Sequence, residues 1–116
     1  MGLKKIYLSG PITKGDRDHN FRQAAVAQRT LLREGFAVLN PMLSMKLPGC
    51  WEIPHEVWVA SDLPWVACAC AVLRLPGESK GAEIECKFAD GRGIPVFDDM
   101  TVLIEHFMEE SDGNSI

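Results

Sequence analysis

The stretch Ala71-Val-Leu-Arg-Leu-Pro-Gly-Glu-Ser-Lys-Gly-Ala-Glu-Ile-Glu85 decides the architecture, because an apolar run passes through turn residues directly into a helical pattern. Residues 71–75 read as a buried strand, Pro76 to Gly81 as the turn, and Ala82 to Arg92 as a helix with Ile84, Phe88 and Ala89 inward and Gly93 as its stop. The same alternation recurs on both sides. Lys4 to Ser9 is a first strand closed by Gly10-Pro11, and a helix capped by Asn20 repeats Phe21, Ala24, Ala25, Gln28, Leu31 and Leu32 up to Gly35. Phe36 to Leu39 is a second strand ended by Asn40-Pro41. Met42 to Pro54 shows no period and is expected as a loop, a candidate lid. His55 to Ala60, and then a short helix capped by Ser61 or Asp62 with Pro64 in its first turn, lead to the 71–75 strand. Ile94 to Phe97 is the last strand, and Asp98 or Asp99 opens a final helix bearing Leu103, Ile104 and Phe107. Alternating strands and helices predict an α/β fold, a parallel sheet of about four or five strands covered by helices on both faces. One domain is expected over residues 1–110, with a polar tail at 111–116.

Composition narrows the function classes. With 47 % hydrophobic and 24 % charged residues among 116, the chain can bury a core and is not a disordered or disulfide-dense sequence. The formal net charge is −4 and no run of Lys or Arg occurs, which argues against a nucleic-acid polymer as partner, since such binding draws on clustered cations. The longest apolar run, Ala67 to Leu73, is far short of the roughly 20 residues that cross a bilayer. The apolar part of the N-terminal stretch is too short for a signal-peptide core, so no membrane partner and a cytoplasmic location are expected. Cys50, Cys68, Cys70 and Cys86 form no C-x-x-C pair, and no metal trio is visible around His19, His55 or His106. Free thiols and no metal are expected. Arg74, inside an apolar strand, is expected to pair with Glu78 or Glu83.

In a parallel sheet of this kind, ligands bind beyond the carboxyl ends of the strands, where strand order reverses. Residues 9–13, 40–44 and 75–85 converge there. Glu85 lies one turn past Gly81, so its side chain can point back over the turn, whereas Glu83, two residues earlier, faces elsewhere. Spacing alone favours a Glu85 that only complements the helix dipole.

The segments Ile6-Tyr-Leu-Ser-Gly-Pro11, Asn40-Pro41, Trp58 with Asp62-Leu63, and Arg74-Leu-Pro-Gly-x-Ser-x-Gly-Ala-x-x-Glu85 resemble the nucleoside 2-deoxyribosyltransferase superfamily, including the 2′-deoxynucleoside 5′-phosphate N-hydrolases. The likeness runs from Lys4 to Phe97. It implies a flavodoxin-like (Rossmannoid) three-layer fold, a homo-oligomer (dimer or higher) with sites completed across an interface, and no cofactor. Glu85 matches the family nucleophile, Asp62 the acidic partner near the scissile bond, and Tyr7 the tyrosine that orients the glutamate. Ser9, Gly10, Asn40, Ser79, Gly81 and Ala82 are the implied substrate-binding positions. Ser79 stands where transferases keep an aspartate and nucleotide hydrolases a serine; a hydroxyl beside helix-end N–H groups can donate to a 5′-phosphate that an aspartate would repel. Thr13 replaces the arginine of the phosphate-hydrolysing relatives, so neutralisation would fall to Lys14, Arg17 or Lys80.

The expected function is cleavage or transfer at the N-glycosidic bond of a (deoxy)nucleoside or nucleoside 5′-monophosphate through Glu85, a small-molecule substrate. Trp51 and Trp58 are candidates to lie against the base, although Trp58 in an apolar helix reads more simply as core. Two other readings compete: a non-catalytic nucleotide-binding or sensing module, and a glycohydrolase acting on a larger nucleotide such as NAD, against which a short 42–54 loop folded over the site would count.

Overall fold

The computed structural model describes residues 2–114. Its central strand, β1 (Lys5–Ser9), pairs in parallel with β2 (Ala37–Leu39) on one side and β3 (Ala71–Arg74) on the other. A short strand, β4 (Val96–Phe97), lies beyond β3, giving the order β2-β1-β3-β4. Successive side chains on a strand point to opposite faces. Ile6, Leu8, Ala71 and Leu73 therefore join one core, with Ala24, Ala27 and Leu31 of helix α1 (Arg17–Arg33) and Leu103 and Phe107 of helix α4 (Met100–Asn114). Tyr7 and Val72 face the other way, toward Val66 of α2 (His55–Ala67) and Ala89 of α3 (Lys80–Gly91). This is the expected flavodoxin-like three-layer fold, with four parallel strands. Fully enclosed Leu31 and Leu103 each contribute about 1.5–3 kcal/mol by leaving water. No helix among the described residues is long and apolar enough to cross a membrane.

Local expectations differ at several points. The cap of α1 is Asp16, whose carboxylate accepts from the His19 N–H at 3.1 Å. Asn20 is instead buried inside the helix, donating to the Ile12 and Lys14 carbonyls at 3.2 and 2.9 Å, which pins the loop leaving β1. Ala27 replaces Ala25 on the inner face of α1, and Leu32 is exposed; the apolar spacing admitted either rotation. The two helices expected over 55–68 are one, α2, with Pro64 inside it. A proline there leaves the carbonyl four residues earlier without its donor, and Ala60 is exposed, so water can take that role. On α3, Ile84 is exposed and the inner stripe is Ala82, Glu85 and Ala89. Arg74 forms no carboxylate pair of the expected kind: its guanidinium donates to the carbonyls of Leu75 and, at 2.8 Å, Gly77, while Glu78 lies 3.5 Å from Lys14. Turn carbonyls at the strand end need donors, and a chain-local arginine supplies them. The last helix is capped by Asp99, which accepts from the Val102 N–H at 3.0 Å, and it continues to Asn114, into the stretch read as a tail; residues 115 and 116 lie outside the described residues.

The turn after β3 crosses the loop after β1 at one tight point. Gly77 has φ +119°, and a Cβ there would fall 2.6 Å from Pro11 Cγ. Gly77→Ala should lower unfolding free energy by about 1–3 kcal/mol. Gly91→Ala, at an exposed helical position with nothing within 4 Å of the added carbon, should raise it by up to about 1 kcal/mol. Urea unfolding of both variants checks the pair.

Candidate active site

Because β1 runs on to β2 on one side while β3 runs on to β4 on the other, the loops leaving β1 and β3 diverge above adjacent strand ends. The gap they leave is a cavity of about 450 Å³. Its walls come from residues 10–14 after β1, residues 40–42 after β2, one side of α2, and residues 78–82 with Glu85 at the start of α3.

Glu85 sits on the inner stripe of α3, three residues past Ala82 and four before Ala89, so small side chains flank it and the helix can approach the sheet. It is 6 % exposed. From the strand below, the Tyr7 hydroxyl donates to its Oε2 and the Ser9 hydroxyl to its Oε1, each at 2.7 Å. Tyr7 and Ser9 are two apart on β1 and hence share a face. Asp62, on α2 one turn past Trp58, lines the same cavity and lies close enough to Glu85 and Tyr7 to act on their charge. The structure thus brings Asp62 and Glu85 together on the cavity lining, with the enclosed Tyr7 bonded to Glu85 from beneath, and Glu83 is exposed.

Burial dominates the electrostatics. It pushes Glu85 up to about 7, against the pull of the Tyr7 and Ser9 donors and reinforced by Asp62. Burial also raises Asp62, with the contacts from Glu85 and Tyr7 acting the other way. Tyr7 is raised far above the ordinary phenol range, first by burial and then by the Glu85 and Asp62 charges, so it remains a neutral donor. Two carboxyls placed close together disfavour the state in which both are ionised. Such a pair can present one carboxylate as a nucleophile and one acid as a proton donor.

The remaining expected positions take distinct places. Gly10, Ser79, Gly81, Ala82 and Asn40 line the cavity. Gly10 is there by close approach: a Cβ would fall 2.9 Å from Leu75 Cβ. Ser79 caps α3 by accepting from the Ala82 N–H at 3.1 Å, a bond that leaves its own O–H proton uncommitted. Asn40 is 6 % exposed; it accepts from the Met42 N–H at 3.1 Å and donates to Gln28 at 3.1 Å, which anchors the wall behind the cavity. Ser9 lies behind Glu85 with no exposed surface. Trp58 is half-buried on the cavity wall rather than in the core, its indole N–H donating to the Cys50 carbonyl at 3.3 Å, whereas Trp51 lies under Arg17 at 4.4 Å. The 42–54 stretch is not an open loop but two 3-10 turns, Pro41–Lys46 and Cys50–Glu52, with Met42 and Met45 buried against the cavity. Sequence reading missed those methionines and His55, whose ring packs over Gly81. Lys14 and Lys80 also reach the cavity. Among the described residues, no group of three or more His, Cys, Asp or Glu side chains is placed to hold a metal ion.

A group raised by folding stabilises the folded state at low pH, and that contribution is lost as pH rises through its folded value. Glu85 moves from 4.5 to about 7, so the window is pH 4.5 to 7 and above. Glu85→Gln removes the titration. At pH 8 the variant should be more stable than the parent chain by up to about 3 kcal/mol, a difference that shrinks toward pH 5. Thermal unfolding at several pH values measures it, and a variant equally destabilised at both pH values would contradict this electrostatic picture.

Among solved structures, the fold is similar to a 2-deoxyribosyltransferase from the psychrotolerant bacterium Bacillus psychrosaccharolyticus, with TM-score 0.62 and 22 % identity over 79 % of this chain and 69 % of that one. It is also similar to a conserved protein from Enterococcus faecalis V583, with TM-score 0.63 and 21 % identity over 82 % of this chain and 62 % of that one. At such identities the likeness is one of fold. No curated protein matches the sequence. Residues 4–98, which take in every element from β1 to β4, match the family described as Domain of unknown function (DUF4406), and the chain therefore belongs to that family.

Proposed function

We propose that this protein cleaves or exchanges the N-glycosidic bond of a (deoxy)nucleoside or nucleoside 5′-monophosphate, with Glu85 as nucleophile. The observation that carries this reading is a buried carboxylate with both oxygens held by hydroxyl donors, close to a second carboxyl, on the lining of a cavity of small-molecule size. The fold likeness to a protein described as a 2-deoxyribosyltransferase supports it, as does the sequence resemblance centred on Tyr7, Asp62 and Glu85.

In this scheme the Glu85 carboxylate attacks the anomeric carbon while the C–N bond breaks. The bonding pair leaves with the base, and Asp62 supplies the proton to the base nitrogen. A glycosyl ester on Glu85 results. Water, giving its proton to the Asp62 carboxylate, or a second base nitrogen then attacks the same carbon and frees Glu85, so two inversions leave the configuration retained. Tyr7 keeps Glu85 oriented for attack and stabilises it as the ester breaks. The Ser79 O–H at the head of α3, with Lys14 and Lys80 nearby, favours a substrate with an anionic 5′ group.

A pure binding module would gain nothing from a buried and a half-buried carboxyl beside an anionic ligand, since each costs desolvation and repels phosphate. The 42–54 stretch is folded into two 3-10 turns with Met42 and Met45 on the cavity lining, the short covering that counts against a larger nucleotide such as NAD.

The test is chromatographic. Nucleosides and 5′-monophosphates, ribo and deoxy, are incubated with and without an acceptor base, and free base or a new nucleoside is measured. Activity is expected on at least one deoxy substrate, with losses of about 10³-fold or more in Glu85→Gln, about 10²-fold in Asp62→Asn and about 10-fold in Tyr7→Phe. Undiminished turnover in Glu85→Gln would reject the assignment.

A further inference from the structure

Ser9 ends β1 with no exposed surface, and its hydroxyl reaches Oε1 of Glu85 at 2.7 Å. A serine hydroxyl carries one proton. That proton is given to Glu85, so the bond itself fixes the direction of the hydroxyl toward the carboxylate. Contact with substrate is closed to so enclosed a side chain. We infer that Ser9 is a positioning residue that keeps Glu85 ionised and fixed in rotation for attack. The inference deepens the proposed reaction and rests on it.

The groups facing Glu85 are few. Tyr7 and Ser9 come from β1, Asp62 from α2 and Cys86 from α3; Arg74 of β3 lies near Cys86, but its guanidinium is engaged with the Leu75 and Gly77 carbonyls. Among the described residues, Tyr7 and Ser9 are the side chains that donate to the carboxyl, and Asp62 opposes its ionised form. Removing Ser9 leaves Oε1 buried without a donor beside a second acid. A carboxyl so placed responds by binding its proton more tightly, and a protonated Glu85 is no nucleophile. Tyr7 alone cannot serve both oxygens, because it too has one O–H.

The experiment reads Glu85 directly. Protein labelled with ¹³C at the glutamate carboxyl carbon is titrated without substrate, as the parent chain, Ser9→Ala and Ser9→Thr, with circular dichroism reporting the fold of each. In Ser9→Ala the Glu85 midpoint should rise by about one unit, a tenfold gain in proton affinity, and in Ser9→Thr, which keeps the hydroxyl, it should stay near the parent value. In turnover assays Ser9→Ala should lose about tenfold in kcat at pH 6 with KM within about twofold, and should recover as pH rises. A midpoint unmoved in folded Ser9→Ala, or moved equally in folded Ser9→Thr, would overturn the inference. A moved midpoint in a parent chain that releases no base would instead reject the enzymatic reading and leave the control of Glu85 by Ser9 standing.

Discussion

One buried carboxyl shapes this molecule. Bringing Glu85 out of water onto the inner stripe of α3 disfavours its charged form, and the rise from 4.5 to about 7 corresponds to roughly 3 kcal/mol between its two protonation states. The two hydroxyl donors limit that cost, and Asp62 adds to it. Tyr7 and Ser9 must leave β1 on one face, which sets the pleat of the central strand. Ala82 and Ala89 must be small enough for the helix to settle on the sheet. The side of α2 that carries Asp62 must turn toward the same point, so two helices and one strand are oriented by a single cluster of oxygen atoms. The rest of the chain supplies the stability that this cluster consumes, chiefly the separate apolar core between the sheet and α1 with α4.

The loops are held by polar contacts in addition to the apolar anchors Ile12, Met42 and Leu75. Asn20 ties the segment after β1 to α1, Asn40 ties the segment after β2 to the first 3-10 turn, and Arg74 ties the turn after β3 to its own strand. Three connections that could each drift are thereby fixed around one opening. A cavity wall built this way keeps its shape before any ligand arrives, which is what a reaction needing a carboxylate, an acid and a sugar carbon in register requires.

The architecture was legible because its signals are redundant. Apolar runs such as Ala71-Val-Leu are bounded by proline and glycine, and helical spacing fills the gaps between them, so a parallel three-layer sheet is the consistent solution. What misled were residues whose role depends on a partner distant in sequence. Asn20 has the chemistry of a cap, yet its amide is used on carbonyls in the preceding loop. Pro64 breaks a helix by local rule, but an exposed Ala60 carbonyl costs little. Ile84 belongs inside by hydrophobicity alone, and it is outside because the inner stripe of α3 is set by the carboxylate. Within the site, Glu85, Asp62 and Tyr7 were reached through the family resemblance, and spacing alone left Glu85 open to a mere dipole role. Met42, Met45 and His55 had no signal of their own, since nothing local distinguishes a methionine in a turn from one on a cavity wall.

The central claim is that Glu85 forms a bond to sugar carbon. Intact-protein and peptide mass spectrometry after incubation with a 2′-fluorinated nucleoside substrate, whose electron-withdrawing fluorine slows the second step more than the first, tests this most directly. The account predicts a mass increase of one fluorinated sugar on the peptide containing Glu85, absent in Glu85→Gln. Base release from the natural substrate, with no adduct or with the sugar attached at another residue, would contradict it.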